Sequence, residues 1–240
     1  AEDAHFVLFG NSADKMNMVL SVHVVDTNVR MSPDLPVAEN ATGTVTLVRD
    51  RLAVDISSGT LTAPNGVAMD ASGTTFVIPD VFVEPAPAAA RIVMEGPAEG
   101  AFSLLEAEPF TVFEGTGYGP DVADGYMQMR ADVRFLLLDH LPWEEIDFAV
   151  EGEMRDVTSD QLVAGSTLAA DKLDFTVSPT ELTIKGAGRL GEVDIYDATW
   201  THPFGPGAEE RKSIITGSAA FGEALVRELD LGLDSSMVVG

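Results

Sequence analysis

Hydrophobic and polar residues alternate with a period of two over much of this chain, most clearly between residues 43 and 79. Four apolar runs in this stretch are separated by residues that favour turns. Because successive side chains of a strand point to opposite faces of a sheet, each run predicts a strand with one apolar and one polar face. The pattern therefore predicts an antiparallel meander with turns at 49–51, 58–59, 64–66 and 72–73.

A second stretch, between residues 167 and 195, has the same alternation, with turns predicted at 178–180 and 186–191. Equivalent apolar positions differ by 128 residues in the first strands, as in Val45 and Leu173. The offset is 130 after the next turn, as in Leu52 and Leu182. A near-constant offset is the pattern of an internal repeat, although amphipathic strands also resemble one another by chance. We predict two β-units, residues 1–113 and 114–240, with short helices near 98–108 and 220–231.

The composition restricts the classes of function. The chain has 240 residues, of which 45% are hydrophobic, so it can bury a substantial core. Its formal charge of −25 argues against binding to nucleic acid and against direct adhesion to an anionic membrane surface. The lack of cysteine excludes disulfides, thiolate metal sites and a cysteine nucleophile. No apolar run approaches the roughly 18 residues of a membrane-spanning helix, and we expect the sequence to be a segment of a longer protein.

No catalytic or metal-binding constellation stands out in the sequence. The four histidines are far apart and lack the spacing of metal ligands. Paired carboxylates such as Glu144-Glu145 are expected in so acidic a chain, and none is singled out as a glycosidase pair. Residues 121–125 lack the ligand spacing of an EF-hand, and residues 115–120 lack the pattern of a phosphate-binding loop. We therefore predict no enzymatic activity, no catalytic residue, no metal and no cofactor.

The apolar faces of the predicted strands remain as the candidate site. One short helix in each unit is too little to cover a wide sheet, and an uncovered apolar sheet face is a candidate groove for an apolar ligand. An ordinary sandwich or barrel core is the alternative. The predicted lining residues are Val45, Leu47, Leu52, Val54, Ile56, Val67, Met69, Phe76, Ile78, Leu173, Phe175, Val177, Leu182, Ile184, Val193 and Ile195.

Three segments carry a family resemblance: GTVTLVRDRLAVDISSGTLTA, ARIVMEGPAEGAFSLLE and DKLDFTVSPTELTIKGAGRLGEVDI. The chain resembles the central repeats of the AsmA-like proteins of Gram-negative envelopes, of the YhdP type, over most of its length. The resemblance implies a segment of a bridge between inner and outer membrane, in which a half-open β-groove carries phospholipid acyl chains across the periplasm. It also implies neighbouring repeats and an inner-membrane anchor outside this segment, and no catalytic residue or cofactor.

We therefore expect a mostly-β protein, an elongated and curved antiparallel sheet shaped like a taco and built from two repeat units. The expected function is a non-enzymatic periplasmic segment whose groove shields lipid acyl chains. The first alternative is a scaffold for outer-membrane protein assembly that acts through exposed strand edges, as proposed for the related TamB-type proteins. A carbohydrate-active β-enzyme is the third hypothesis, and it requires two converging carboxylates in a cleft.

Overall fold

The computed structural model describes residues 3–9, 17–30, 37–107, 118–138, 145–163, 166–203 and 211–220, and the single positions 205, 208, 222 and 224. These residues form thirteen strands and one helix, so the predicted mostly-β fold is confirmed. The strands are β1 (Asp3–Phe9), β2 (Asn17–Val29), β3 (Ala38–Val48), β4 (Arg51–Thr62), β5 (Ala68–Asp70), β6 (Thr75–Ile78), β7 (Pro87–Pro97), β8 (Asp124–Leu136), β9 (Asp147–Val163), β10 (Ser166–Ser178), β11 (Glu181–Leu190), β12 (Val193–Pro203) and β13 (Ile214–Ala219). The helix α1 (Ala98–Glu106) lies between β7 and β8.

All the described strands belong to one antiparallel sheet, and their order in the sheet follows the chain from β1 to β13. Strands β5 and β6 share one place in this order, because each pairs with both β4 and β7. The sheet continues across the predicted boundary between the two units. There β7 pairs with β8 from Pro87 opposite Leu136 to Pro97 opposite Tyr126.

The first predicted meander corresponds to β3–β6, but the turn predicted at 58–59 is wrong. Strand β4 continues through both residues to Thr62. The pairing with β3 shifts there, because Thr42 and Gly43 are adjacent whereas their partners Ser58 and Ile56 are two residues apart. Ser57 is therefore the extra residue of a β-bulge. The predicted turn at 64–66 is confirmed, and it connects β4 to β5.

The turn predicted across 186–191 is also wrong, because β11 continues to Leu190 and the chain reverses only at Gly191-Glu192. Gly191 belongs to the turn, with a φ of 56°, but Gly186 lies within the strand. A Cβ at Gly186 would lie 2.7 Å from the backbone oxygen of Lys172 and 2.5 Å from Leu173 Cδ2. Glycine is thus favoured at this position because the backbone of the neighbouring strand approaches it closely.

The helix predicted near 98–108 is confirmed as α1, which follows β7 directly and ends at Glu106. Its buried residues are small except for Leu104, and the helix lies against β5, β7 and β8. A Cβ at Gly100 would lie 2.7 Å from both Met69 Sδ and Val67 Cγ1, so the helix sits close to the sheet. The helix predicted near 220–231 lies almost entirely outside the described residues.

Candidate ligand-binding face

The strand register brings apolar residues into rows that cross the sheet. Residues directly opposite each other in an antiparallel pair point to the same face. One row crosses from β2 to β9 and contains Val22, Val45, Val54, Phe76, Ala90, Val133 and Phe148. A second row crosses from β7 to β13 and contains Met94, Met129, Gly152, Phe175, Ile184, Trp200 and Ile215.

The two rows lie on the same side of the sheet, because Val133 and Met129 are four residues apart in the regular strand β8. We call this side the apolar face. The predicted lining residues of β3, β4, β6, β10, β11 and β12 all lie on it. Val67 and Met69 join the same hydrophobic cluster from the β4–β5 turn and from β5.

Strands β7, β8 and β9 provide the central part of this face, and none of the predicted lining residues belongs to them. Ala88, Ala90, Ala131 and Phe135 are buried there. Apolar residues occupy every second position of β7 (Ala88, Ala90, Ile92 and Met94) and of β8 (Met127, Met129, Ala131 and Val133). Three of these eight residues are alanines, which are small enough to occur on either face of a strand, so the pattern is a weak sign of an apolar face.

One end of the apolar face is closely packed, and we call it the α1 end. The side chains of Met69, Met94, Met127 and Met154 are buried there in one cluster with Leu104 of α1. Asn65 holds the helix at its edge: its backbone N–H donates to Ser103 Oγ at 3.1 Å, and its side-chain amide donates to the carbonyl oxygen of Glu99 at 3.1 Å. Helix α1 is therefore held on one side by the packed methionines and on the other by the hydrogen bonds of Asn65 in the β4–β5 turn.

Beyond the α1 end, Phe76, Ile78, Ala88, Ala90 and Phe135 form a second buried cluster. Other positions of the face are only half-buried, and we call these the open part. It includes Val45, Leu47, Leu52, Val54, Val150, Val177, Leu182 and Ile184. Among the described residues, no helix lies over β2, β3, β10 or β11. A face of aliphatic side chains without a second layer is an unusual surface for a protein in water, and its burial by some apolar group is favourable.

The opposite side of the sheet is charged. Cross-strand ion pairs join Arg91 to Asp132 at 2.8 Å and Arg134 to Asp147 at 3.3 Å, and a third pair joins Arg130 to Glu151. All of these side chains are largely exposed, so each pair contributes little to stability. The pairs instead define the side of the sheet that faces water.

Glu153 is the centre of the densest charged cluster on this side. Its carboxylate accepts hydrogen bonds from Lys172, at 3.0 Å, and from Arg155. These two hydrogen bonds hold the pKa of Glu153 below its usual value. The pKa of Lys172 is raised by its hydrogen bonds to Asp174 and Glu153. Both shifts favour the charged forms of Glu153 and Lys172.

The described part of the chain contains no group of three histidine, aspartate or glutamate side chains placed to hold a metal ion. His202 packs against Trp200, with ring centroids 5.5 Å apart, and its Nδ1 lies 2.6 Å from Ser213 Oγ. The Glu144-Glu145 pair is only half described, because Glu144 lies outside the described residues. None of the described helices is long and apolar enough to cross a bilayer.

Comparison of the chain with protein-family models, with curated proteins and with solved structures finds no match. The geometry of the sheet is therefore the basis for an assignment of function.

Proposed function

We propose that this chain is a non-enzymatic periplasmic segment of a lipid-transport bridge between inner and outer membrane. Phospholipid acyl chains lie on its apolar face, and their head groups remain in water. The observation that carries the proposal is the apolar face from β2 to β13, which among the described residues has a helix, α1, at one end only. Neighbouring repeats and an inner-membrane anchor belong to this proposal as parts of the longer protein.

The chemistry of the open part suits acyl chains. Its side chains are aliphatic, and the charged groups of the strands project from the opposite side of the sheet. Burial of an acyl chain contributes about 0.8 kcal/mol per CH₂ group, so an aliphatic surface binds lipid without specific polar contacts. A carrier of many phospholipid species needs such non-directional binding.

A curved, groove-shaped sheet is part of the proposal, and several β-bulges support it. The backbone has positive φ at Asp26 and Asn40 in β2 and β3, and at Asp156 in β9. The register shifts at or beside each of these residues. A bulge bends its strand and increases the local twist, so bulges in consecutive strands favour a sheet that curls around one face.

The strand boundaries support the proposed division into two repeat units. Strand β3 begins at Ala38 and β10 at Ser166, which are 128 residues apart. Strand β4 begins at Arg51 and β11 at Glu181, which are 130 residues apart. The apolar positions of the two stretches differ by the same offsets. The strand starts and the sequence pattern therefore both pair β3 with β10 and β4 with β11.

Lipid occupancy of protein purified without detergent tests the proposal, by native mass spectrometry and by solvent extraction. We expect co-purifying phospholipid in the natural protein and less of it in Val54→Asp and Ile184→Asp, because each aspartate places a charge among half-buried aliphatic side chains. Thr46→Asp and Thr199→Asp add the same charge to the polar side and should retain lipid. Each variant is first checked for folding by circular dichroism. Unchanged occupancy in folded Val54→Asp and Ile184→Asp would contradict the proposal.

A second candidate function is the assembly scaffold, which edge strand β13 favours. Its residues Ile214 and Ile215 are 58% and 74% exposed, and it pairs only with β12 among the described strands. An exposed apolar edge can accept a further strand from a client protein. Cross-linking from Ile214→Cys to an unfolded outer-membrane protein, in lipid-free protein, would favour this function over lipid transport.

A further inference from the structure

The loop between β6 and β7, residues 79–86, exposes three consecutive apolar side chains. Phe82 is 82% exposed, and Val81 and Val83 are 36% and 47% exposed. The loop is held in this position by two hydrogen bonds: the Val81 N–H donates to the carbonyl oxygen of Asp50 at 2.8 Å, and the Phe82 N–H donates to Asp80 Oδ1 at 2.9 Å. The protrusion of Phe82 is therefore built into the loop.

This loop lies at the end of the sheet opposite α1. It leaves β6 after Ile78, whose partner in the register is Leu52 of the open part. Val48 at the end of β3 and Leu136 at the end of β8 are also exposed at this end, at 39% and 38%, but they point to the charged side of the sheet, because Leu47 and Phe135 beside them belong to the apolar face. The loop is joined to the apolar face through Ile78 and its partner Leu52.

The charges near the loop differ from those of the whole chain. Arg49 lies in the adjacent β3–β4 turn and Arg51 begins β4; both are exposed and have no ion-pair partner among the described residues. Their acidic neighbours are Asp50, Asp80 and Glu84. The two arginines nearly balance the charge of the three carboxylates, whereas the whole chain has 14 basic and 39 acidic residues. The repulsion expected between an anionic surface and this part of the protein is therefore weaker than the charge of the whole chain implies.

We propose that this end of the sheet docks on a phospholipid bilayer, with Phe82, Val81 and Val83 inserted among the acyl chains and Arg49 and Arg51 at the lipid phosphates. An aromatic residue next to arginine is the typical composition of a membrane-interface contact. The loop fits a bilayer better than a protein partner, because three protruding side chains provide far less than the roughly 800 Å² that each partner of a stable protein interface buries. The inference rests on the proposed function, since it names where acyl chains enter the apolar face.

A single fluorescent label tests the inference, and the cysteine-free sequence permits it. Phe82→Cys is labelled with an environment-sensitive dye and mixed with vesicles of phosphatidylcholine, alone or with phosphatidylglycerol. We expect a blue shift with vesicles and quenching of the dye by brominated acyl chains. Tyr196→Cys, at a position 63% exposed on β12, is the matched control and should show neither.

Flotation with the same vesicles gives the size of the effect in unlabelled protein. Phe82→Ser should lower the vesicle partition coefficient by about tenfold, since the phenyl ring no longer leaves water. Tyr196→Ser should leave it within about twofold. Arg49→Gln and Arg51→Gln should each lower it by about fivefold on vesicles with phosphatidylglycerol.

Two results would overturn the docking proposal. One is an unchanged spectrum at position 82 with both kinds of vesicle. The other is a blue shift that grows with protein concentration in the absence of vesicles, which would assign the loop to a contact with a second copy of the chain. The proposed function can fail independently of docking. If the protein never carries lipid but position 82 inserts into vesicles, lipid transport is contradicted and the docking proposal still holds.

Discussion

The α1 end and the open part of the apolar face have similar side chains but different packing. At the α1 end, Met127 and Met154 are 3% and 6% exposed, in one cluster with Leu104 of α1. In the open part, Leu182 and Ile184 are only half-buried, and no described helix lies over their strand. Strand β9 contains both kinds of position, because Met154 is buried and Val150 is half-buried.

We expect this difference to separate the residues that stabilise the fold from the residues that bind a ligand. The closed core at the α1 end fixes the register of the strands, because a shift of one residue would move every apolar side chain to the charged side. The open part can then keep an incomplete core without loss of the fold. Substitutions at the two regions should therefore have different consequences, and the following predictions test that difference in order of decreasing effect.

Truncation of a buried methionine should have the largest effect. Met127→Ala at the α1 end is expected to lower the free energy of unfolding by about 3 kcal/mol, since it leaves a closed cavity. Leu182→Ala in the open part should lower it by about 1 kcal/mol, since a half-buried side chain loses less transfer free energy and leaves no cavity. Denaturant titration measures both values. Equal losses would show that the open part is packed as closely as the core.

A side chain at Gly100 should have the next largest effect. Gly100→Val is expected to lower the free energy of unfolding by about 2 kcal/mol, because its first carbon already meets Met69 and Val67 at 2.7 Å. The neighbouring Glu99→Val is exposed and should change stability by less than about 0.5 kcal/mol. Similar losses in the two variants would mean that α1 is not seated on the sheet.

Removal of the Asn65 side chain should loosen the helix itself. Asn65→Ala removes the hydrogen bond to the Glu99 carbonyl and the acceptor of the Val67 N–H. The expected loss of stability is about 1 kcal/mol, and amide hydrogen exchange in α1 should become faster than in the strands. Asn28→Ala, at an exposed position of β2, is the control. Unchanged exchange in α1 would show that methionine packing alone holds the helix.

A substitution on the charged side of the sheet should have the smallest effect on stability. Because the pKa of Glu153 is lowered in the folded state, the stability it contributes is present above the unfolded pKa of about 4.5 and is lost as the pH falls through the lowered folded value. Glu153→Gln should therefore make the unfolding temperature fall less steeply at acid pH, as measured in thermal unfolding scans. Asp160→Asn, an exposed substitution in the same strand, serves as the comparison, and an equal change there would remove the special role of Glu153.

Alternation alone was sufficient to predict the strands and the shared face of residues such as Val45 and Val54. It failed at Ser58-Gly59, because a bulge and a turn use the same residue types. It failed again across 186–191, because a glycine favoured by the close backbone of a neighbouring strand looks the same in sequence as a glycine required by a turn. The contrast between the α1 end and the open part was also beyond the sequence, since it depends on where α1 folds back onto the sheet.

The order of the strands has a consequence for how the chain folds. Every described strand pairs with strands at most two places away along the chain, so the sheet forms without distant segments having to meet. Short loops are closed at little entropic cost, and folding rates rise as contacts become more local. A meander of this kind can add strands one after another as the polypeptide emerges from a narrow channel. Each new strand finds its partner among the one or two strands placed before it.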